Sequence, residues 1–122
     1  MKFCWITLNV KNMEESLAFY QEIIGLKIAE RFNVEEGLEI AMLGEADDPK
    51  IELICNKSQN VSVQKEGISI GFEVESLDKA MELLKDRNIP IKRGPFSPVP
   101  ATRFLFIDDP NGVEIQIVQH QL

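Results

Sequence analysis

The sequence predicts an α+β fold: two tandem βαβββ modules whose strands form a cup-shaped mixed sheet, with the helices on its outer face. Three observations predict it. The second half repeats the first at one spacing. Ile6-Thr7-Leu8-Asn9-Val10 followed by Met13, Leu17 and Tyr20 returns as Ile70-Gly71-Phe72-Glu73-Val74 followed by Leu77, Met81 and Leu84 (70 − 6 = 64). Ile51-Glu52-Leu53 returns as Ile115-Gln116-Ile117 under the same shift. In each half a stretch with the two-residue period of a strand precedes one with the period of a helix. Turn residues then cut the remainder into strand-length runs. A supersecondary unit written twice implies a pseudo-twofold architecture, and the surface the copies share is the natural place for a ligand.

Residues 2 to 10 alternate, with Cys4, Ile6, Leu8 and Val10 on one side and Phe3, Trp5, Thr7 and Asn9 on the other. Asn12 then caps a helix, with Glu15 three residues on completing a capping-box-like start; Met13, Leu17, Tyr20 and Ile24 form its apolar stripe, and Gly25 ends it. Residues 27–32, 38–43 and 50–55 read as strands, separated by the loops Asn33 to Gly37 and Gly44 to Pro49. In the second copy Ser76 caps a helix striped by Leu77, Ala80, Met81 and Leu84, which ends by Asn88 and Pro90. Gly94-Pro95-Phe96-Ser97-Pro98-Val99-Pro100 reads as an extended loop covering a pocket, because prolines interrupt any regular element. Strands at 103–108 and 113–119 follow, joined by the tight-turn signal Asp109-Pro110-Asn111-Gly112. The expectation is one domain, 1–122, with repeats 1–56 and 68–122 joined by a linker, 57–67.

A chain of 122 residues buries roughly two-thirds of its unfolded surface without needing a disulfide or metal staple. With 44% apolar and 27% charged residues it has an ordinary globular composition. A net charge of −7 and dispersed Lys and Arg argue against nucleic acid as a partner. No apolar run is long enough to span a bilayer and the N-terminus lacks a signal-peptide core, so a cytoplasmic location without membrane association is expected. Cys4 and Cys55 read as reduced, packed thiols. There is no Gly-rich phosphate loop, no Gly-x-Ser-x-Gly elbow, and no histidine placed to complete a triad with either cysteine.

The run Val10-Lys11-Asn12-Met13-Glu14-Glu15-Ser16-Leu17-Ala18-Phe19-Tyr20 continuing to Ile24-Gly25-Leu26, and the closing Asp109-Pro110-Asn111-Gly112-Val113-Glu114-Ile115, resemble the vicinal oxygen chelate superfamily. That group includes glyoxalase I, bleomycin-resistance proteins and extradiol dioxygenases. In its metal-using members the resemblance implies one ligand from the first and one from the last strand of each copy, here Trp5, Glu52, Ser69 and Gln116. Only Glu52 keeps a good ligand type. Indole has no available lone pair, and a serine hydroxyl and a glutamine amide are weak neutral ligands. The single histidine, His120, lies outside the motif. One carboxylate falls short of the three protein ligands a tight site uses, so no cofactor and no divalent metal are expected.

The alternate strand positions Trp5, Thr7, Asn9, Glu52, Ser69, Arg103 and Gln116 form the expected lining of the cup. Trp5 reads either as an aromatic wall for a planar ligand or as a plug. Glu52 reads as a hydrogen-bond acceptor, a general base, or a solvated carboxylate on the wet side of a sheet. Arg103 reads as a fork for a ligand carboxylate or as an edge charge. Tyr20, Met13, Met42 and Met81 read as packing, with Met42 placed to reach the cup. The leading expectation is a metal-free, homodimeric binding protein for a small hydrophobic or aromatic molecule, similar in design to bleomycin-resistance proteins. Two alternatives stand beside it. One is a glyoxalase I-like lyase or isomerase, or a dioxygenase, with a non-standard metal shell around Glu52. The other is an interaction domain with a filled cup.

Overall fold

The computed structural model describes residues 1–58 and 66–120. The chain divides into two compact units, Met1–Gln64 and Lys65–Leu122. Most of the expected linker, 59–65, lies outside the described residues. Among those described, no helix is long and apolar enough to cross a membrane.

The first unit runs β1 (Trp5–Asn9), α1 (Met13–Ala18), a π-helical segment (Phe19–Ile23), β2 (Ile28–Glu35), β3 (Leu38–Leu43) and β4 (Lys50–Asn56). Its four-stranded sheet has the order β1-β4-β3-β2, with β1 parallel to β4 and the other pairs antiparallel. The side chain of Asn12 caps α1 by accepting the Glu15 N–H at 2.9 Å. Gly25, at φ 89°, ends the helix, and the Leu26 N–H donates back to the Tyr20 carbonyl at 2.9 Å. The π-helical segment places one more residue between Asn12 and Gly25 than separates Ser76 from Asn88 in the other unit. β2 continues through Asn33 and Val34 to Glu35, residues expected to be loop. They pair with Leu38 and Glu39 of β3 around a register shift.

The second unit runs β5 (Ser69–Glu73), α2 (Leu77–Asp86), β6 (Arg93–Val99), β7 (Thr102–Asp108) and β8 (Glu114–His120). Its sheet has the matching order β5-β8-β7-β6. Ser76 Oγ caps α2 by accepting the Lys79 N–H, and the Leu77 N–H donates to the Gln119 side-chain oxygen at 2.7 Å. Asn88 turns the chain at φ 58° and the Ile89 N–H closes on the Leu84 carbonyl. Gly94 to Pro100, expected as a loop, is mostly edge strand β6. Its pairings fall on Arg93, Phe96 and Val99, so no proline has to supply the ladder donor it lacks. Between β7 and β8 the buried Asp109 accepts the Asn111 and Val113 N–H groups, each at 2.8 Å, on one carboxylate oxygen.

Each sheet buries the face under its own helix. In the first unit Leu8, Val10, Leu17, Tyr20, Leu43, Ile51 and Leu53 are buried; in the second, Leu77, Leu84, Leu105, Ile107, Ile115 and Ile117. Each such Leu or Ile contributes about 1.5–3 kcal/mol relative to exposure. Ile6, Ile70, Phe72 and Val74, expected on the same face, are half-buried. Cys55 is a packed thiol, but Cys4 precedes β1 and is exposed, against expectation, because the strand begins only at Trp5. On the helix side of the first unit Arg31 bonds Glu39 at 2.5 Å and also Glu14 of α1. Those hydrogen bonds, Glu39 first, raise its already high pKa, so the guanidinium keeps its charge at any physiological pH.

Candidate functional site

Strand pairing decides which side chains share the far face of each sheet, the face away from its own helix. In the first unit the parallel register sets Trp5 opposite Lys50, Thr7 opposite Glu52 and Asn9 opposite Ile54, while Met42 of β3 stands across from Glu52. The Thr7 hydroxyl donates to Glu52 Oε1 at 2.6 Å. Glu52 is thus held by the strand beside it, and its second oxygen has no hydrogen-bond partner among the described residues.

A cavity of about 450 Å³ opens beside this pair. Trp5, Phe3, Phe32 and Met42 supply apolar wall, and Glu30 and Glu52 supply carboxylates. Trp5 remains 51% exposed, so its indole is available to a bound molecule. The Gly44–Pro49 loop forms one rim. Lys50 Nζ fixes that loop by donating to the carbonyls of Ala46 (3.1 Å) and Asp48 (2.5 Å). Met42 reaches the cavity, as its strand position allows. Asn9 lies at the other end of β1 and does not line it.

In the second unit Ser69 and Gln116 also stand on the far face, Ser69 opposite Glu114 and Gln116 opposite both Gly71 and Phe106. Ser69 lines a polar cavity of about 460 Å³ with Lys92, Asp108 and Glu114; Gln116 does not. Here two of the lining carboxylates, Glu114 and Asp108, are already answered by cations. Glu114 bonds Arg93 at 2.7 Å and Lys92 at 3.2 Å, and Lys92 also bonds Asp108 at 3.1 Å. Those bonds, Asp108 first, raise the Lys92 pKa.

Arg103 does not belong to this face. It sits opposite Gln119 in line with the buried Leu105 and Ile107, on the helix side, where its guanidinium bonds Asp78 of α2 at 3.3 Å. The far face of β7 carries Phe104 and Phe106 between Thr102 and Asp108, and the two rings meet edge to face at 5.7 Å. Phe96 packs on Phe104, and the Arg93 guanidinium lies 4.0 Å above the Phe106 ring. The signal for this cluster was present in the sequence: Leu105 and Ile107 fix the buried side, so even-numbered neighbours must face away.

The donor chemistry fits a metal poorly. Among the described residues no group of three or more His, Cys, Asp or Glu is placed to hold an ion. At Trp5, Glu52, Ser69 and Gln116 only Glu52 is anionic, and one of its oxygens already accepts from Thr7. No step through a metal is therefore derived.

Residues 2–117 match the model of the Glyoxalase/Bleomycin resistance protein/Dioxygenase superfamily. A lactoylglutathione lyase of Neisseria meningitidis is 30% identical over 126 residues, covering 98% of this chain and 91% of that protein. Among solved structures, the trypanothione-dependent glyoxalase I of Leishmania major superposes with a TM-score of 0.83 at 22% identity, covering 98% of this chain and 86% of that one. TnmS3, an antibiotic binding protein from a Streptomyces species, superposes with a TM-score of 0.75 at 16% identity, covering 99% of this chain and 97% of that one. With two βαβββ units and a match over nearly its whole length, this chain belongs to the Glyoxalase/Bleomycin resistance protein/Dioxygenase superfamily.

Proposed function

We propose that this protein binds a small hydrophobic or aromatic molecule on the far face of the first unit and does so without a metal, as a sequestering rather than a transforming protein. One observation carries the reading. Where the resemblance places a metal ligand, the chain has a half-exposed Trp5 on the wall of a cavity that can take a drug-sized ligand. An indole offers a stacking surface worth about 0.5–1.5 kcal/mol beyond its area, and one N–H donor, but nothing to an ion. Support also comes from TnmS3, an antibiotic binding protein of the same fold.

Because Trp5 is the chain's single tryptophan, its fluorescence reports on this site alone. Saturable quenching or a spectral shift with a panel of aromatic and amphiphilic compounds is the expected result. A flat response across the panel, with Trp5 still open to a soluble quencher, would reject the reading.

A second reading is favoured by the 30% identity to a lactoylglutathione lyase together with the carboxylate kept at Glu52. In it Glu52 is a general base for proton transfer. Turnover of the methylglyoxal–glutathione hemithioacetal with added Ni²⁺ or Zn²⁺, abolished by Glu52→Gln, would select it.

A further inference from the structure

The charge around the cavity of the first unit narrows the ligand class. This step rests on the binding reading above. The apolar wall has an ionisable rim in which Glu30, Asp47, Asp48 and Glu52 outnumber Lys2 and Lys50. The Lys50 ammonium is held by two loop carbonyls, and no ion pair joins it to Glu52 among the described residues. Glu52 is anchored through one oxygen by Thr7 and retains its second oxygen for another donor.

The second unit supplies an internal control. There the far-face carboxylate of Glu114 is bonded by both Lys92 and Arg93. At Glu52 no protein cation plays that part among the described residues. A carboxylate beside an apolar wall that lacks such a partner is best completed by a cation brought from outside, through a charge-assisted hydrogen bond. Trp5 adds the face of an indole, the strongest of the aromatic rings for a cation. The overall charge of −7 favours the approach of a cation in the same sense.

We infer that the cavity beside Trp5 and Glu52 selects an organic cation: an aromatic or apolar body carrying a protonated amine or amidine, whose charged end meets Glu52 while its body lies along Trp5, Phe32 and Met42. Neutral compounds of the same shape gain only the apolar contact. Anions meet like charge.

The test compares three ligands that share one ring system: naphthylmethylamine, naphthylmethanol and naphthoate, titrated calorimetrically against the full chain at neutral pH. The amine is expected to bind about tenfold tighter than the alcohol, with the anion weakest. Glu52→Gln should erase the advantage of the amine over the alcohol, and added salt should weaken the amine alone. Glu30→Gln, at an exposed strand position, provides a second variant that should reduce the same preference. Equal affinity for all three compounds, or preference for the anion, overturns the cation inference and leaves the binding reading standing. No binding of any of the three overturns both.

Discussion

At the common spacing of 64 residues, the helix-side positions of the two units match while the far-face positions diverge. Leu8 corresponds to Phe72, Val10 to Val74, Met13 to Leu77, Ile51 to Ile115 and Leu53 to Ile117, all apolar and all turned to the helix side. Even the caps correspond, Asn12 to Ser76. On the other face Trp5 corresponds to Ser69, Thr7 to Gly71, Lys50 to Glu114 and Glu52 to Gln116. The helix side must satisfy close packing, which tolerates few chemistries. The far face carries no such constraint, and the two copies have taken it in different directions: a carboxylate beside an indole in one, an ion-paired and phenylalanine-rich surface in the other.

The sharpest way to break this contrast is to truncate the packed side. Leu53→Ala and Ile117→Ala should each lower unfolding free energy by about 3 kcal/mol in urea titrations, since both side chains are buried. Ile54→Ala, at a half-buried neighbouring position on the far face, should cost clearly less. Next comes exchange across the repeat. Trp5→Ser, which installs the residue of the second unit, should weaken aromatic ligands about tenfold by calorimetry while stability moves by no more than about 0.5 kcal/mol. Retained affinity in that variant would erase the functional difference between the faces.

A smaller effect sharpens the symmetry. Asn12→Ala and Ser76→Ala should each cost about 1 kcal/mol in thermal or urea unfolding, and by similar amounts if the caps are equivalent. The smallest concerns Arg103→Leu. Its pair with Asp78 is largely exposed, so a loss of a few tenths of a kcal/mol and unchanged ligand affinity are expected.

The repeat, both helices with their caps, and seven of the eight strands were legible in sequence because alternation, apolar stripes and turn residues agreed. β6 was hidden because Pro95, Pro98 and Pro100 argue against a strand, and only the tertiary register shows the ladder stepping between them at Arg93, Phe96 and Val99. Arg103 lies on the helix side and not in the expected lining, and the sequence hides this because β7 carries large apolar residues on both sides. Phe104 and Phe106 blurred an alternation that the buried Leu105 and Ile107 define. The side-chain bond from Thr7 to Glu52 was out of reach for a different reason. It depends on which residue of β1 lies beside which residue of β4, and parallel strands separated by more than forty residues carry no local signal of their register.

The turn around Asp109 has a consequence for how the chain acquires its shape. Asp109 accepts the Asn111 and Val113 N–H groups, both within four residues of it, so the hairpin of β7 and β8 can zip on the microsecond scale, before Ile70 is brought from far along the chain to Ile115. The matching connection in the first unit is longer and is tied by a lysine side chain instead. Copies with the same topology are thus expected to nucleate at different times, the later-synthesised one first. Stopped-flow refolding in which Asp109→Ala slows folding more than it accelerates unfolding would be the kinetic signature of that asymmetry.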